Sequence, residues 1–248
     1  MKSFLLALQF LTIAPIRIKK IRDEHMGWAI VYFPVIGLLL GLVLCGVNYL
    51  LISAQFDPLA VNIILVVLLI AITGALHLDG LSDAFDGLFS GKKGQEILNI
   101  MRDPHVGSMG VLAVISILLL KISFLSAVRP ETKNLALLLM CVLSRWSMAL
   151  SLFSFPYARE DGKAKIFVVG MNKKIFVAAT LMAIGVTFII SRTIGPIAFA
   201  LTAVFAYLAD LWVKKKIGGI TGDTIGAVSE VSEIVVLFVI IVLERIVA

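Results

Sequence analysis

The sequence predicts an all-α protein, a polytopic transmembrane helical bundle of about seven spans plus an N-terminal interfacial or re-entrant segment, and three observations predict it. Mean hydropathy is +1.05, with 60% hydrophobic and 15% charged residues. Soluble domains carry about 25% charged residues, so water is not the main solvent of this chain. Seven apolar runs are long enough to cross, given a hydrocarbon core of ~30 Å and a rise of about 1.5 Å per residue. Finally, the basic residues between those runs collect in alternate loops, as cytoplasmic loops of membrane proteins require.

The chain opens with an apolar stretch from Phe4 to Ile16, interrupted by Gln9 and Thr12 and ended by Pro15. It is too short to cross, and no small-residue cleavage site follows, so it is expected to stay in the protein and lie in the interface or dip into the membrane. The crossing runs are Trp28 to Ile52, Leu59 to Leu76, Met109 to Val128, Leu135 to Phe155, Ile175 to Ile190, Gly195 to Val213 and Val231 to Val247. Pro34 and Pro196 sit near span starts, where a helix has no intrahelical bond for the missing N–H to break. One set of loops holds Arg17, Lys19, Lys20 and Arg22, then Lys92, Lys93 and Arg102, then Arg159, Lys163, Lys165, Lys173 and Lys174, then Lys214, Lys215 and Lys216. The opposite set holds only Arg129 with Lys133, Arg192 and Arg245. This alternation places the N-terminus inside and the C-terminus outside. No repeat or linker divides the chain, which reads as a single integral membrane domain over residues 1–248.

The charge of +6 does not indicate nucleic acid, because the basic residues form short patches between apolar runs, the pattern of loops that face anionic lipid. Cys45 and Cys141 each lie inside an apolar run, which indicates neither a disulfide framework nor a thiolate metal site.

The richest chemistry is in His77-Leu78-Asp79-Gly80-Leu81-Ser82-Asp83-Ala84-Phe85-Asp86-Gly87, entered directly from a span. On a helix Asp79, Asp83 and Asp86 fall within about 60° of one another. Three carboxylates on one face at a membrane boundary repel and resist desolvation, so a cation must offset them. Mg²⁺ suits, because it binds through a few carboxylates plus substrate phosphates. The plainer alternative is acids that end a span in water. His77 is the candidate general base or phosphate contact.

A second stretch, Gly218 to Glu233, runs into the last span, with Asp223, Glu230 and Glu233 within roughly 80° on a helix. Two acidic faces on one side could hold one or two divalent ions between them, a common way to stabilise displacement at phosphorus. For Glu230 and Glu233 a solvated first helical turn is the alternative. The third stretch, Arg102-Asp103-Pro104-His105, offers Arg102 to a phosphate, assisted by Lys92 or Lys93, against a reading as ordinary loop charge. Asp210 is ionisable at membrane depth, with pairing to Lys214 as the favoured alternative.

These motifs resemble those of the cobalamin synthase family, the adenosylcobinamide-GDP ribazoletransferases. The resemblance is carried by His77-x-Asp79-Gly80-Leu81-x-Asp83-x-x-Asp86-Gly87, Arg102-Asp103-Pro104, Thr221-Gly222-Asp223-x-x-Gly226-Ala227 with Glu230 and Glu233, and the opening Phe10-x-Thr12-x-x-Pro15. It departs at position 105, where a basic residue such as Arg is expected and His105 stands. The resemblance implies a Mg²⁺-dependent enzyme of the prokaryotic inner or plasma membrane with its site on the cytoplasmic side. It would join α-ribazole or its 5′-phosphate to adenosylcobinamide-GDP and release GMP. Carried onto this chain, His77, Asp79, Asp83 and Asp86 are catalytic, and Lys92, Arg102, Asp103, His105 and Thr221 bind substrate. Asp79, Asp83, Asp86, Asp223, Glu230 and Glu233 hold metal and pyrophosphate. Membrane lipid is the expected surroundings, nucleic acid is not a partner, and a homo-oligomer stays open. The CDP-alcohol phosphotransferases use similar aspartates, but Asp79-Gly80-Leu81-Ser82-Asp83 lacks their Ala-Arg pair. A transporter is the competing reading from another class.

Overall fold

The computed structural model describes residues 1–16, 18, 23–162 and 164–246; the loop residues Arg17, Lys19, Lys20, Arg22 and Lys163 lie outside them. The described residues form helices: α1 Lys2–Leu11, α2 Asp23–Ala29, α3 Phe33–Ser53, α4 Pro58–Thr73, α5 Leu76–Leu88, α6 Gln95–Ile100, α7 Ser108–Ala127, α8 Lys133–Ser154, α9 Lys165–Gly170, α10 Lys173–Ile190, α11 Ile194–Ile217 and α12 Gly222–Ile246. Six continuous helices are long and apolar enough to cross a membrane, one of them the 30-residue Glu24–Ser53 that joins α2 to α3 through a 3₁₀ turn. The α4–α5 pair makes a seventh with a 90° bend at its break. This is a multi-pass membrane protein, and each expected apolar run holds one of these helices.

The bend has a local cause. Asp57 starts α4 by accepting from the N–H groups of Leu59 (2.9 Å) and Ala60 (3.1 Å), with Pro58 in the first turn. Gly74 ends it at φ +61°, and Ala75 follows at φ +56°. Two successive left-handed residues turn the chain sharply, and for Ala75 that conformation costs about 1–2 kcal/mol. The polar α5 therefore runs at about 90° to the apolar α4.

The helix ends sort into two groups. Phe10 of α1, the start of α3, the end of α8, α9 and the start of α12 meet around one cavity, where α5 also lies. At the far end the last turns of α3 and α7 meet the first turns of α4 and α8, and Glu244 near the end of α12 reaches Thr132 beside them. The site end carries the acidic motifs; the crossing helix α3 begins there and α12 finishes at the other, as seven crossings require.

Candidate active site

The two acidic motifs meet because glycine lets their helices touch. At Gly80 of α5 a Cβ would lie 3.0 Å from both the Cα and the carbonyl oxygen of Asp223, and at Gly226 of α12 one would lie 3.3 Å from the backbone of His77. Two helices approaching this closely need small residues at the crossing. The consequence is that Asp79 and Asp223 line the same cavity, of about 230 Å³, with His77 and Arg159.

Asp223 begins α12 at a turn fixed by reciprocal bonds: the Thr221 N–H donates to the Thr224 hydroxyl (2.8 Å) and the Thr224 N–H to the Thr221 hydroxyl (3.2 Å). Thr221, expected to bind substrate, is buried and caps the helix. Arg159 reaches the site from the loop after α8. That loop pairs with the segment before α12, Ala158 N–H donating to the Ile220 carbonyl and Ile220 N–H to the Pro156 carbonyl, both at 2.8 Å. Arg159 Nη1 then stands 2.7 Å from Asp223 Oδ2.

Asp83, one turn along α5, feels all of these charges. Burial first, then the carboxylates of Asp223 and Asp79, push its carboxyl up to about 6, against the pull of the Arg159 guanidinium, with Asp86 adding to the rise. Asp86 is engaged elsewhere. Its carboxylate accepts from the N–H groups of Gly107 (2.7 Å) and Gly110 (2.8 Å), which ties the first turn of α7 to α5. A Cβ at Gly110 would run into that carboxylate and into Ser82, so glycine is needed there. Asp86→Ala is expected to cost about 1 kcal/mol, the usual value of a helix cap, and to speed amide exchange at Gly107 and Gly110. Unchanged protection at those amides would mean that the contact holds nothing.

His77 is buried at the first turn of α5, and among the described residues neither ring nitrogen has a hydrogen-bond partner. Both nitrogens are thus left without a protein partner beside the cavity that His77 lines. Lys92, Arg102, Asp103 and His105 are exposed. Lys92 stands 3.9 Å from Glu96, and His105 Nδ1 is 2.7 Å from Asp103 Oδ1. None of the four lines the cavity.

Glu230 and Glu233 face inward, away from solvent. Lys121 Nζ of α7 lies 2.8 Å from Glu230 Oε2 and 2.6 Å from Glu233 Oε2, and Arg145 of α8 pairs with Glu233 Oε1; all four side chains are buried. Two cations and two carboxylates make a neutral cluster inside the bundle. The sequence signal for Lys121 and Arg145 was present, since each is an ionisable residue inside an apolar run, the criterion that singled out Asp210. Asp210 itself is buried inside the bundle. Lys214 instead places its ammonium 6.0 Å above the Phe155 ring, so the expected pairing does not form.

Among the described residues no group of three or more His, Cys, Asp or Glu side chains closes on one point as a preformed metal cage. Asp79 and Asp223 offer hard oxygen donors to the cavity, and Asp83, one turn along α5, feels both charges but lies outside the lining. That donor chemistry fits Mg²⁺, which takes one or two carboxylates and completes its octahedron with water and phosphate oxygens.

The class that this fold and site define is the multi-pass membrane protein with a charged, cavity-bearing site at one end of its bundle. More particularly, the model of the CobS family, cobalamin-5-phosphate synthase, matches residues 3–241, and the chain belongs to that family. The adenosylcobinamide-GDP ribazoletransferase of Geotalea daltonii is 37% identical over 242 residues, covering 97% of each chain. Relatives of the same name are 35% identical in Desulforamulus reducens, over 98% of each chain, and 36% identical in Escherichia coli, over 86% of this chain and 87% of the relative. No solved structure matches.

Proposed function

We propose that this chain is a Mg²⁺-dependent transferase that joins α-ribazole, or its 5′-phosphate, to adenosylcobinamide-GDP with release of GMP, on the cytoplasmic face of a prokaryotic inner or plasma membrane. The observation that carries the reading is the meeting of Asp79 and Asp223 with Arg159 and His77 at one cavity, with Asp83 within reach of their charges one turn along α5. Its place at one end of the bundle argues against a transporter, whose binding site lies near the midplane.

The cavity suits the smaller substrate. Its volume of about 230 Å³ lies below that of a pocket for a drug-sized ligand, so a corrinoid stays outside it. Phe10, Phe33 and Phe167 form an aromatic wall, with Phe10 and Phe167 centroids 4.5 Å apart, against which an aromatic base can pack. A ribose hydroxyl directed at His77 gives up its proton to the imidazole as its oxygen attacks the phosphorus on the cobinamide side. The bond from that phosphorus to the bridging oxygen breaks, and GMP leaves. Arg159 holds the pyrophosphate in line for this displacement, so positioning and charge stabilisation do most of the work. Mg²⁺ held by Asp79, Asp83 and Asp223 would neutralise the pyrophosphate charge; Asp86, Glu230 and Glu233 support those helices.

The test is GMP release by the purified protein given adenosylcobinamide-GDP and α-ribazole, with and without Mg²⁺. Metal-dependent release is expected, and none would overturn the assignment. Because Asp83 has to lose its proton before it can bind a cation, the apparent Mg²⁺ affinity is expected to be level above pH 7. Below about pH 6 it should weaken by up to roughly tenfold per pH unit. An affinity that stays constant from pH 5 to 8 would remove Asp83 from the cation set.

A further inference from the structure

The far end of the bundle holds a second cavity, of about 700 Å³, between the last turns of α3 and α7 and the first turns of α4 and α8. Its lining carries one cation, Lys133, and one carboxylate, Asp57, with the amides of Asn48 and Asn62 and the Ser126 hydroxyl. Lys133 Nζ donates to the Leu125 carbonyl and, at 3.3 Å, to Asn62 Oδ1, while the buried Asn62 donates from Nδ2 to Ser126 Oγ at 2.9 Å. The ammonium is thus held by neutral oxygens, that of Asn62 belonging to the cavity lining, and among the described residues it makes no ion pair. Glu244, near the end of α12, is occupied by the Thr132 hydroxyl and the Arg129 N–H. Asp57 uses Oδ1 to cap α4 and is exposed. One cavity therefore presents a positive and a negative group that do not neutralise each other.

A ligand that complements this lining carries both signs, and the surroundings say where it comes from. Tyr49 and Leu50 of α3, Phe56 of the α3–α4 connection and Leu59 of α4, next to the cavity, are each at least half exposed. In a membrane protein, exposed apolar side chains at a helix end face acyl chains. We infer that the cavity binds a zwitterionic phospholipid of the phosphoethanolamine type, with its phosphate on Lys133, its primary ammonium on Asp57 and its acyl chains along α3 and α4. An anionic phospholipid satisfies Lys133 but meets repulsion from Asp57. A choline headgroup has no N–H to donate to the carboxylate, and the quaternary ammonium is typically held by aromatic cages instead.

The site is tested on the full chain, purified in detergent and stripped of lipid. It is offered phosphatidylethanolamine, phosphatidylcholine and phosphatidylglycerol at equal concentration, with bound lipid counted by native mass spectrometry. Retention of phosphatidylethanolamine at least fivefold above the other two is expected. Asp57→Asn keeps the helix cap, since Asn caps as well as Asp, and should bring phosphatidylethanolamine down to the phosphatidylglycerol level. Lys133→Gln should lower both. Equal retention of the three lipids by the wild-type protein, or unchanged selectivity in Asp57→Asn, would overturn the proposal, and the latter decides it even if Lys133→Gln fails to fold. Soluble glycerophosphoethanolamine separates the sources: binding as tight as that of the lipid would rule out a membrane ligand.

Discussion

Asp83→Asn is expected to lower GMP release by at least ~100-fold, the upper end of what loss of a residue supporting a metal site costs, while leaving the cation-free protein as stable as before or slightly more so. Asp83 faces Asp79, Asp223 and Asp86 with only Arg159 of opposite sign, and its own carboxyl is pushed up to about 6 by burial and these neighbours. An amide of the same shape removes repulsion and takes away one hard donor. The thermal unfolding midpoint without Mg²⁺ should therefore hold or rise, and the shift that Mg²⁺ produces should shrink. This is the pattern of a site kept at the expense of stability. A lower midpoint together with lost activity would instead make Asp83 a structural residue, and full activity would take it out of the reaction.

Lys121→Met is expected to destabilise the bundle by about 3–5 kcal/mol, as breaking a buried ion pair from one side does. Lys121 bonds Glu230 and Glu233 at 2.8 and 2.6 Å, and without it two buried carboxylates share the single charge of Arg145. Glu230→Gln added to Lys121→Met should recover much of the loss, because Glu233 and Arg145 then remain as a balanced pair. The double-mutant cycle is read by unfolding midpoints in detergent and the yield of monodisperse protein. A double variant no more stable than Lys121→Met would show that the packing of the lysine stem, and not charge balance, is what matters. The same cluster borders the buried His77, whose field includes Arg145, Glu233 and Lys121, so activity and stability should fall together in the single variant.

The crossing helices could be read in the sequence because the bilayer fixes both their length and their composition. Gly74 could be seen, but the 90° turn could not, because it depends on the left-handed Ala75 beside it. The period of α5 put Asp79, Asp83 and Asp86 on one face, but nothing marked Gly80 as the point where α12 crosses. Asp79 and Asp223 do meet at one cavity. Arg159 was visible only as loop charge, because what brings it to Asp223 is a backbone pairing between two loops more than 60 residues apart in sequence. Tyr157, Phe33 and Phe167 around the cavity gave no signal at all, since an aromatic in an apolar chain is unremarked until its neighbours are known.

By itself the sequence determined the membrane-spanning architecture and the two carboxylate-bearing helices, because both follow from local periodicity and from the solvent a segment can tolerate. Only the tertiary structure decided what each carboxylate faces. Asp86 meets amides 21 and 24 residues away, Glu230 a lysine 109 residues away and Glu233 an arginine 88 residues away, while Asp79 and Asp223 are left toward the cavity. A helix's period says which residues share a side, but the charge opposite that side comes from another helix. Whether an acid is a ligand, a cap or half of a buried pair is settled by that opposing charge.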